Sequence, residues 1–269
     1  MNKCGVTEWY LPVSGPSAIK LCKKLGLDGI QIGDLGGYKA NFPMLDERIK
    51  DMYKEELDDG EFEIYSYHAV DISRDIGFKS ELNSEMGRLS LEIVKKSIQI
   101  CREYNIPNLM LGCFTKAQPG NKYEIKLMTG NLKEFNRIAA ANGVQLALES
   151  FIDFDSTLVL LDEVQGLKLC YDLLNPIKFG FGEPRDDLKK VRAEQIDHIH
   201  VKDAPENMVD FLPVGDGAAY IRESVNRLKD VGFEGWYFLE NHYNEPSLSR
   251  MGCGLDPLAE DIRRIKSMW

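Results

Sequence analysis

Eight short apolar runs recur along the chain, and longer stretches with helical spacing separate them. Runs of four to eight apolar residues suit buried strands, and apolar residues at i, i+3, i+4 suit helices. Strand and helix in alternation build a parallel sheet, and eight such units are the number that closes it into a barrel. The predicted strands occupy residues 6–9, 29–32, 62–68, 108–112, 144–149, 167–172, 196–202 and 236–240. Helical spacing covers 17–25, 45–56, 81–104, 125–142, 155–164, 186–193, 219–231 and 256–268. Ser17 is the expected N-cap of the first helix, with Gly26 as its stop signal.

The length of 269 residues is close to the roughly 250 of a typical barrel of this kind. The expectation is an α/β fold, a single (β/α)8 TIM barrel, with residues 1–269 forming one domain. No linker, low-complexity stretch or repeat beyond the strand–helix unit divides the chain. An open doubly wound sheet would carry a G-x-G-x-x-G loop after its first strand. Gly15-Pro16 stands there instead, which argues against nucleotide binding.

Lys and Arg number 33 and Asp and Glu 43, a net charge of −10. Such a surface repels phosphate backbones and anionic membranes, so neither nucleic acid nor membrane is an expected partner. No apolar run reaches the length of a signal peptide or a membrane span. The six cysteines (Cys4, Cys22, Cys101, Cys113, Cys170 and Cys253) show no C-x-x-C spacing. They read as reduced, mostly buried thiols of a cytoplasmic protein. A homo-oligomer is compatible with these features.

The chemistry concentrates at the strand ends, where barrel enzymes place their catalytic groups. The fifth strand ends in Glu149, the sixth in Asp172 and the eighth in Glu240. The seventh carries His198 and His200, and the third ends in His68. All four histidines, His242 included, lie in or just past a predicted strand. A lone carboxylate at the end of a buried strand is costly to ionise unless it is paired or bound to a cation. Glu149, Asp172, His200 and Glu240 together make an oxygen-rich set. It suits one divalent ion, Mn²⁺, Mg²⁺ or Co²⁺, with Zn²⁺ as the softer alternative.

Each member also has an ordinary structural reading, as a helix cap or a salt-bridge partner. Of His198 and His200, at most one is expected to reach the barrel mouth, the other lying between barrel and helices. His242 reads as a loop residue and Cys170 as core. Lys202 shares the strand face of His200 and is a candidate for a substrate oxygen. Trp9, Tyr67 and Phe114 offer rings to a sugar's C–H face or to ordinary packing.

His198-Ile-His200-Val-Lys202-Asp203, with Ala147-Leu-Glu149, Tyr171-Asp172, Phe238-Leu-Glu240 and Pro213-Val-Gly215-Asp216-Gly217, resembles the xylose-isomerase-like superfamily. The likeness runs over the whole chain and is nearest to the sugar phosphate isomerase/epimerase branch, which includes ketose 3-epimerases. That resemblance implies one divalent metal on Glu149, Asp172, His200 and Glu240. It also implies that Glu149 and Glu240 flank the reacting carbon and exchange its proton as base and acid, through a metal-stabilised enediolate. It assigns His68 to substrate contact, and Lys202, Asn175, Trp9 and His198 join it as candidate substrate-binding residues. The expected partner is a small sugar or sugar phosphate.

Two departures stand out. The family often has a histidine three residues after the sixth-strand aspartate, and this chain has Asn175, which weakens a multi-zinc site. An arginine that some ketose epimerases carry after the seventh strand has no counterpart in residues 204–211. An inosose-type dehydratase is the first alternative on the same metal site. An apurinic-endonuclease-like phosphodiesterase and a non-catalytic sugar-binding barrel are further ones.

Overall fold

A computed structural model describes residues 1–58, 60–244 and 255–269. Its strands are β1 (Lys3–Thr7), β2 (Gly29–Ile32), β3 (Glu63–His68), β4 (Asn108–Gly112), β5 (Gln145–Glu149), β6 (Lys168–Asp172), β7 (Ile196–Val201) and β8 (Trp236–Leu239). They form a closed parallel barrel in the order β1 to β8, a single (β/α)8 TIM barrel. The helices are α1 (Pro16–Lys24), α2 (Glu47–Leu57), α3 (Glu85–Glu103), α4 (Lys122–Ala141), α5 (Phe154–Glu163), α6 (Asn175–Phe179), α7 (Pro184–Asp187), α8 (Ile221–Asp230) and α9 (Asp256–Lys266). Among the described residues, no helix is long and apolar enough to cross a membrane.

Local chemistry sets the helix starts. Side chains of Asp46, Ser84, Asn121 and Asp153 accept main-chain N–H groups at the starts of α2, α3, α4 and α5. The expected cap of α1, Ser17, lies inside the helix. Gly15 is the N-cap at φ 65°, Pro16 occupies the first turn, and the Gly15 N–H donates to the Glu8 carboxylate. Strand β1 also begins earlier than its apolar run suggests, and it ends at Thr7 because Glu8–Tyr10 leaves the sheet as a 3-10 turn. The expected helix over 186–193 is only the four-residue α7, and the Pro176-containing α6 was not foreseen.

The chain forms two compact units. The first contains residues 1–31, 59–63 and 171–269, and its interior is aromatic. Trp236 and Phe238 stack at 5.2 Å and 8°. Glycines make room for them: a Cβ on Gly5 would run into the Phe238 ring, and one on Gly29 would strike Trp236 and the Glu63 carbonyl. In β7 and β8, His200 pairs with Phe238 and Val201 with Leu239.

The second unit contains residues 32–58 and 64–170. Leu109, Met110 and Leu111 of β4 and Leu146, Ala147 and Leu148 of β5 are fully buried. Phe78 packs edge-on to Phe135, and the Asn131 amide donates to the carbonyls of Phe78 and Ser80. Glu149 pairs with Cys170 in register. The five described cysteines are free and buried, and Cys253 lies outside the described residues.

Gly5→Ala is expected to destabilise the fold by about 1–3 kcal/mol, because the added methyl forces Phe238 from a filled site. The urea-denaturation midpoint measures the loss.

Candidate active site at the C-terminal ends of the strands

Asp172 is the last residue of β6, and its two oxygens do different work. Oδ1 accepts the main-chain N–H groups of Leu174 (2.8 Å) and Asn175 (2.7 Å), which ties α6 to the strand end. Oδ2 faces the Lys202 ammonium at 2.7 Å and His200 Nδ1 at 4.0 Å. The main-chain N–H of Asn175 is thus tied to the site.

Glu240 follows β8 and divides its oxygens similarly. Oε1 accepts the Trp9 indole N–H at 2.9 Å. Oε2 lies 2.6 Å from Lys202 Nζ and 3.3 Å from His200 Nδ1. Asp172, His200 and Glu240 each present a donor atom, and these lie within 4.8 Å of one another. Lys202 sits between the two carboxylates at 8% exposure. Burial opposes the charge on Glu240, but the Lys202 ammonium and His200 outweigh it and hold the carboxyl well below the usual carboxylate range. Trp9, a candidate ring for sugar stacking, also anchors Glu240, and its ring lies edge-to-face with His200 at 6.2 Å.

One expectation needs correction. His198 and His200 are two apart on β7, and residues two apart share a strand face. Both rings point the same way, 5.4 Å apart and fully buried. His198 is not turned out toward the helices. Its Nδ1 lies 2.7 Å from Asp197 Oδ2, and its Nε2 lies 3.4 Å from Gln31 Nε2. Gln31 also places Oε1 2.7 Å from His200 Nε2. The sequence reading passed over Gln31, although a lone amide in the apolar run Gly-Ile-Gln-Ile was the signal.

The residues after Lys202 and Glu240 anchor the surrounding loops. The Asp203 carboxylate accepts N–H groups from Ala204, Gly215, Gly217 and Ala219 at 2.9–3.0 Å, gathering the loop after β7. Burial still pushes its pKa up, against those four donors. Asn241 Oδ1 accepts the Asp203 N–H, and its amide donates to Leu212 O and Asp261 Oδ2. Tyr243 donates to the same Asp261 oxygen. His242 is more than a loop residue: its ring stacks between Tyr10 at 3.6 Å and Phe211 at 3.8 Å. Burial, with Lys202 nearby, pushes its pKa down to about 4.

In the second unit, Glu149 ends β5 and is buried. His68 ends β3, with Nε2 3.5 Å from the Ser73 hydroxyl and its ring edge-on to Phe114. Tyr67, the residue before it, is 1% exposed, and burial raises its hydroxyl pKa, so it is core.

These carboxylates and histidines stand at the C-terminal ends of the strands, where barrel enzymes keep their catalytic groups. Residues 19–268 match the xylose isomerase-like TIM barrel family, and the chain belongs to that family. It is similar to a 2-epi-5-epi-valiolone 7-phosphate 2-epimerase of an Actinoplanes species, 24% identical over 257 residues, covering 94% of this chain and 92% of the relative. Solved structures share the fold, among them two with TM-scores of 0.77 and above. One is a D-tagatose 3-epimerase-like protein (TM-score 0.78, 18% identity, 99% and 96% of the chains). The other is an IOLI protein with a bound zinc atom (TM-score 0.77, 17% identity, 99% and 98%).

Lys202→Met leaves two buried carboxylates without their ammonium. Loss of one partner from a buried ion pair costs about 3–5 kcal/mol. Urea unfolding in the presence of a chelator is expected to show a loss of that size.

Proposed function

We propose that the protein is a carbohydrate isomerase or epimerase that uses one divalent cation and acts on a sugar or sugar phosphate. The observation that carries this reading is the pair of buried carboxylates, Asp172 and Glu240, gathered with His200 around a cationic place. Glu149 is the proposed fourth ligand. It is buried at the end of β5, the neighbour of β6 in the barrel order, and pairs with Cys170, two residues before Asp172 on the same strand face. Three carboxylates and one imidazole fit Mn²⁺, Mg²⁺ or Co²⁺, and they also accommodate Zn²⁺. The Actinoplanes relative is named as an epimerase of a phosphorylated substrate, which supports the same chemistry.

When bound, the cation would supply positive charge beside the substrate oxygens on which negative charge develops. The remaining steps belong to side chains. Glu149 and Glu240 exchange the proton on the carbon next to the carbonyl, one as base and the other as acid from the opposite face. Return to the same carbon with inversion makes an epimerase, and return to its neighbour an isomerase. Trp9 restrains one oxygen of Glu240, and the other, which faces Lys202, is the one proposed to act. Asp172 is fixed by the start of α6 and serves as a holding ligand rather than a proton carrier. His68 is the proposed substrate contact from β3. His198 is fully buried beneath His200, and we assign it no contact with substrate.

Glu149→Gln and Glu240→Gln are each expected to lower turnover by about 10²–10⁴-fold without loss of the fold. Proton–deuterium exchange at the α-carbon in D₂O, followed by NMR over a panel of ketoses and their phosphates, measures this. Full exchange in either variant removes the role assigned to that residue.

EDTA is expected to abolish the same exchange, and Mn²⁺ or Co²⁺ to restore it. A divalent ion on Asp172 and Glu240 competes with the Lys202 ammonium for the same oxygens. Lys202→Met is therefore expected to bind Mn²⁺ about tenfold or more tightly, because close charge pairs couple by more than about 1.4 kcal/mol. Calorimetric titration reads the difference.

A further inference from the structure

Gln31 is the only residue of β2 that is neither glycine nor isoleucine. Its side chain is fully buried and stands between two imidazoles. The two contacts have opposite senses. Gln31 Oε1 is a carbonyl oxygen and only accepts, so the His200 Nε2 that faces it at 2.7 Å carries the ring proton. Gln31 Nε2 is an amide nitrogen and only donates, so the His198 Nε2 that faces it at 3.4 Å is the acceptor. The His198 proton is then on Nδ1, where it donates to Asp197 Oδ2 at 2.7 Å. The chain of donors runs from His200 to Gln31 to His198 to Asp197.

The consequence falls on His200. With its proton on Nε2, the ring turns the Nδ1 lone pair toward Glu240 Oε2 at 3.3 Å and Asp172 Oδ2 at 4.0 Å. Groups that hold the second nitrogen of a ligating histidine set its tautomer and orientation. We propose that Gln31 is a positioning residue that holds His198 and His200 in opposite tautomers, so that His200 presents Nδ1, and only Nδ1, to a cation. The last step rests on the metal-dependent reading above; the tautomers do not. Glutamine is the side chain suited to this task. At the same length, glutamate would accept from both rings, and methionine would donate to neither and accept only weakly.

Long-range ¹H–¹⁵N spectra of the metal-free full chain test this, with ring signals assigned by single histidine replacements. The wild-type protein is expected to show His200 protonated at Nε2 and His198 at Nδ1. In Gln31→Glu, the introduced carboxylate is expected to draw a second proton from solvent onto His198, which then donates from Nε2 as well as Nδ1, while His200 keeps its Nε2 proton. A role in packing alone would not produce that one-sided change.

In Gln31→Met, His200 loses the partner of its Nε2, and affinity for Zn²⁺ or Mn²⁺ is expected to fall about 10–100-fold. Gln31→Glu keeps the His200 contact and is expected to retain the affinity. If Gln31→Met fails to fold, Gln31→Glu still decides the matter. Reversed tautomers in the wild-type protein, or an unchanged His198 in Gln31→Glu, overturn the proposal. A wild-type protein that binds neither ion overturns the metal reading instead, and the spectra still decide the role of Gln31.

Discussion

Two carboxylates that must stay charged while buried are the constraint on which the site depends. Asp172 and Glu240 are each about 5% exposed, where an isolated carboxylate would be driven to its neutral form. Positive charge and directed N–H groups offset that cost. Lys202 lies within 2.7 Å of both carboxylates, the Trp9 indole N–H meets Glu240, and two main-chain N–H groups meet Asp172. In each carboxylate one oxygen is committed to the protein and the other faces the ammonium. The committed oxygen fixes the direction of each carboxylate, and the second shares the Lys202 ammonium.

The loops around these residues are held by the residues next in sequence. Asp203 follows Lys202 and gathers four N–H groups. Asn241 follows Glu240 and joins the Asp203 main chain to Asp261. Burial raises the Asp261 pKa to about 6, against the N–H and O–H groups that stabilise its charge. Such a network costs stability wherever one member goes unsatisfied, so its completeness specifies a single loop arrangement. A strand end therefore supplies both a chemical group and, one residue later, the anchor that keeps it aimed.

The barrel could be read from the chain because it rests on periodicity, which is a local property. Every strand was placed within a few residues of its position in the structure, including β5, β6 and β8, whose ends bear Glu149, Asp172 and Glu240. Errors arose where tertiary contacts decide. Ser17 has the chemistry of a cap, but Gly15 takes the role because the Glu8 carboxylate holds its N–H. The short α6 exists because Asp172 receives its first N–H groups, which no helical spacing announces. Gln31 was missed for the opposite reason. An amide in an apolar strand has no periodic signal, and its importance appears only when β7 brings two histidines to its two ends.

The mouth beside Glu240 shows how little additional charge the site admits. His242 is pressed between Tyr10 and Phe211, and an imidazolium there would add positive charge close to Lys202. Burial and that ammonium keep it neutral. Phe211 carries Lys178 over its face at 5.3 Å, and burial and Lys202 lower the pKa of that lysine as well. After burial, Lys202 thus lowers the pKa of His242 and of Lys178, while it helps hold the acid of Glu240 ionised. The outcome is a pair of buried carboxylates around the Lys202 ammonium, bordered by the stacked rings of Tyr10, His242 and Phe211.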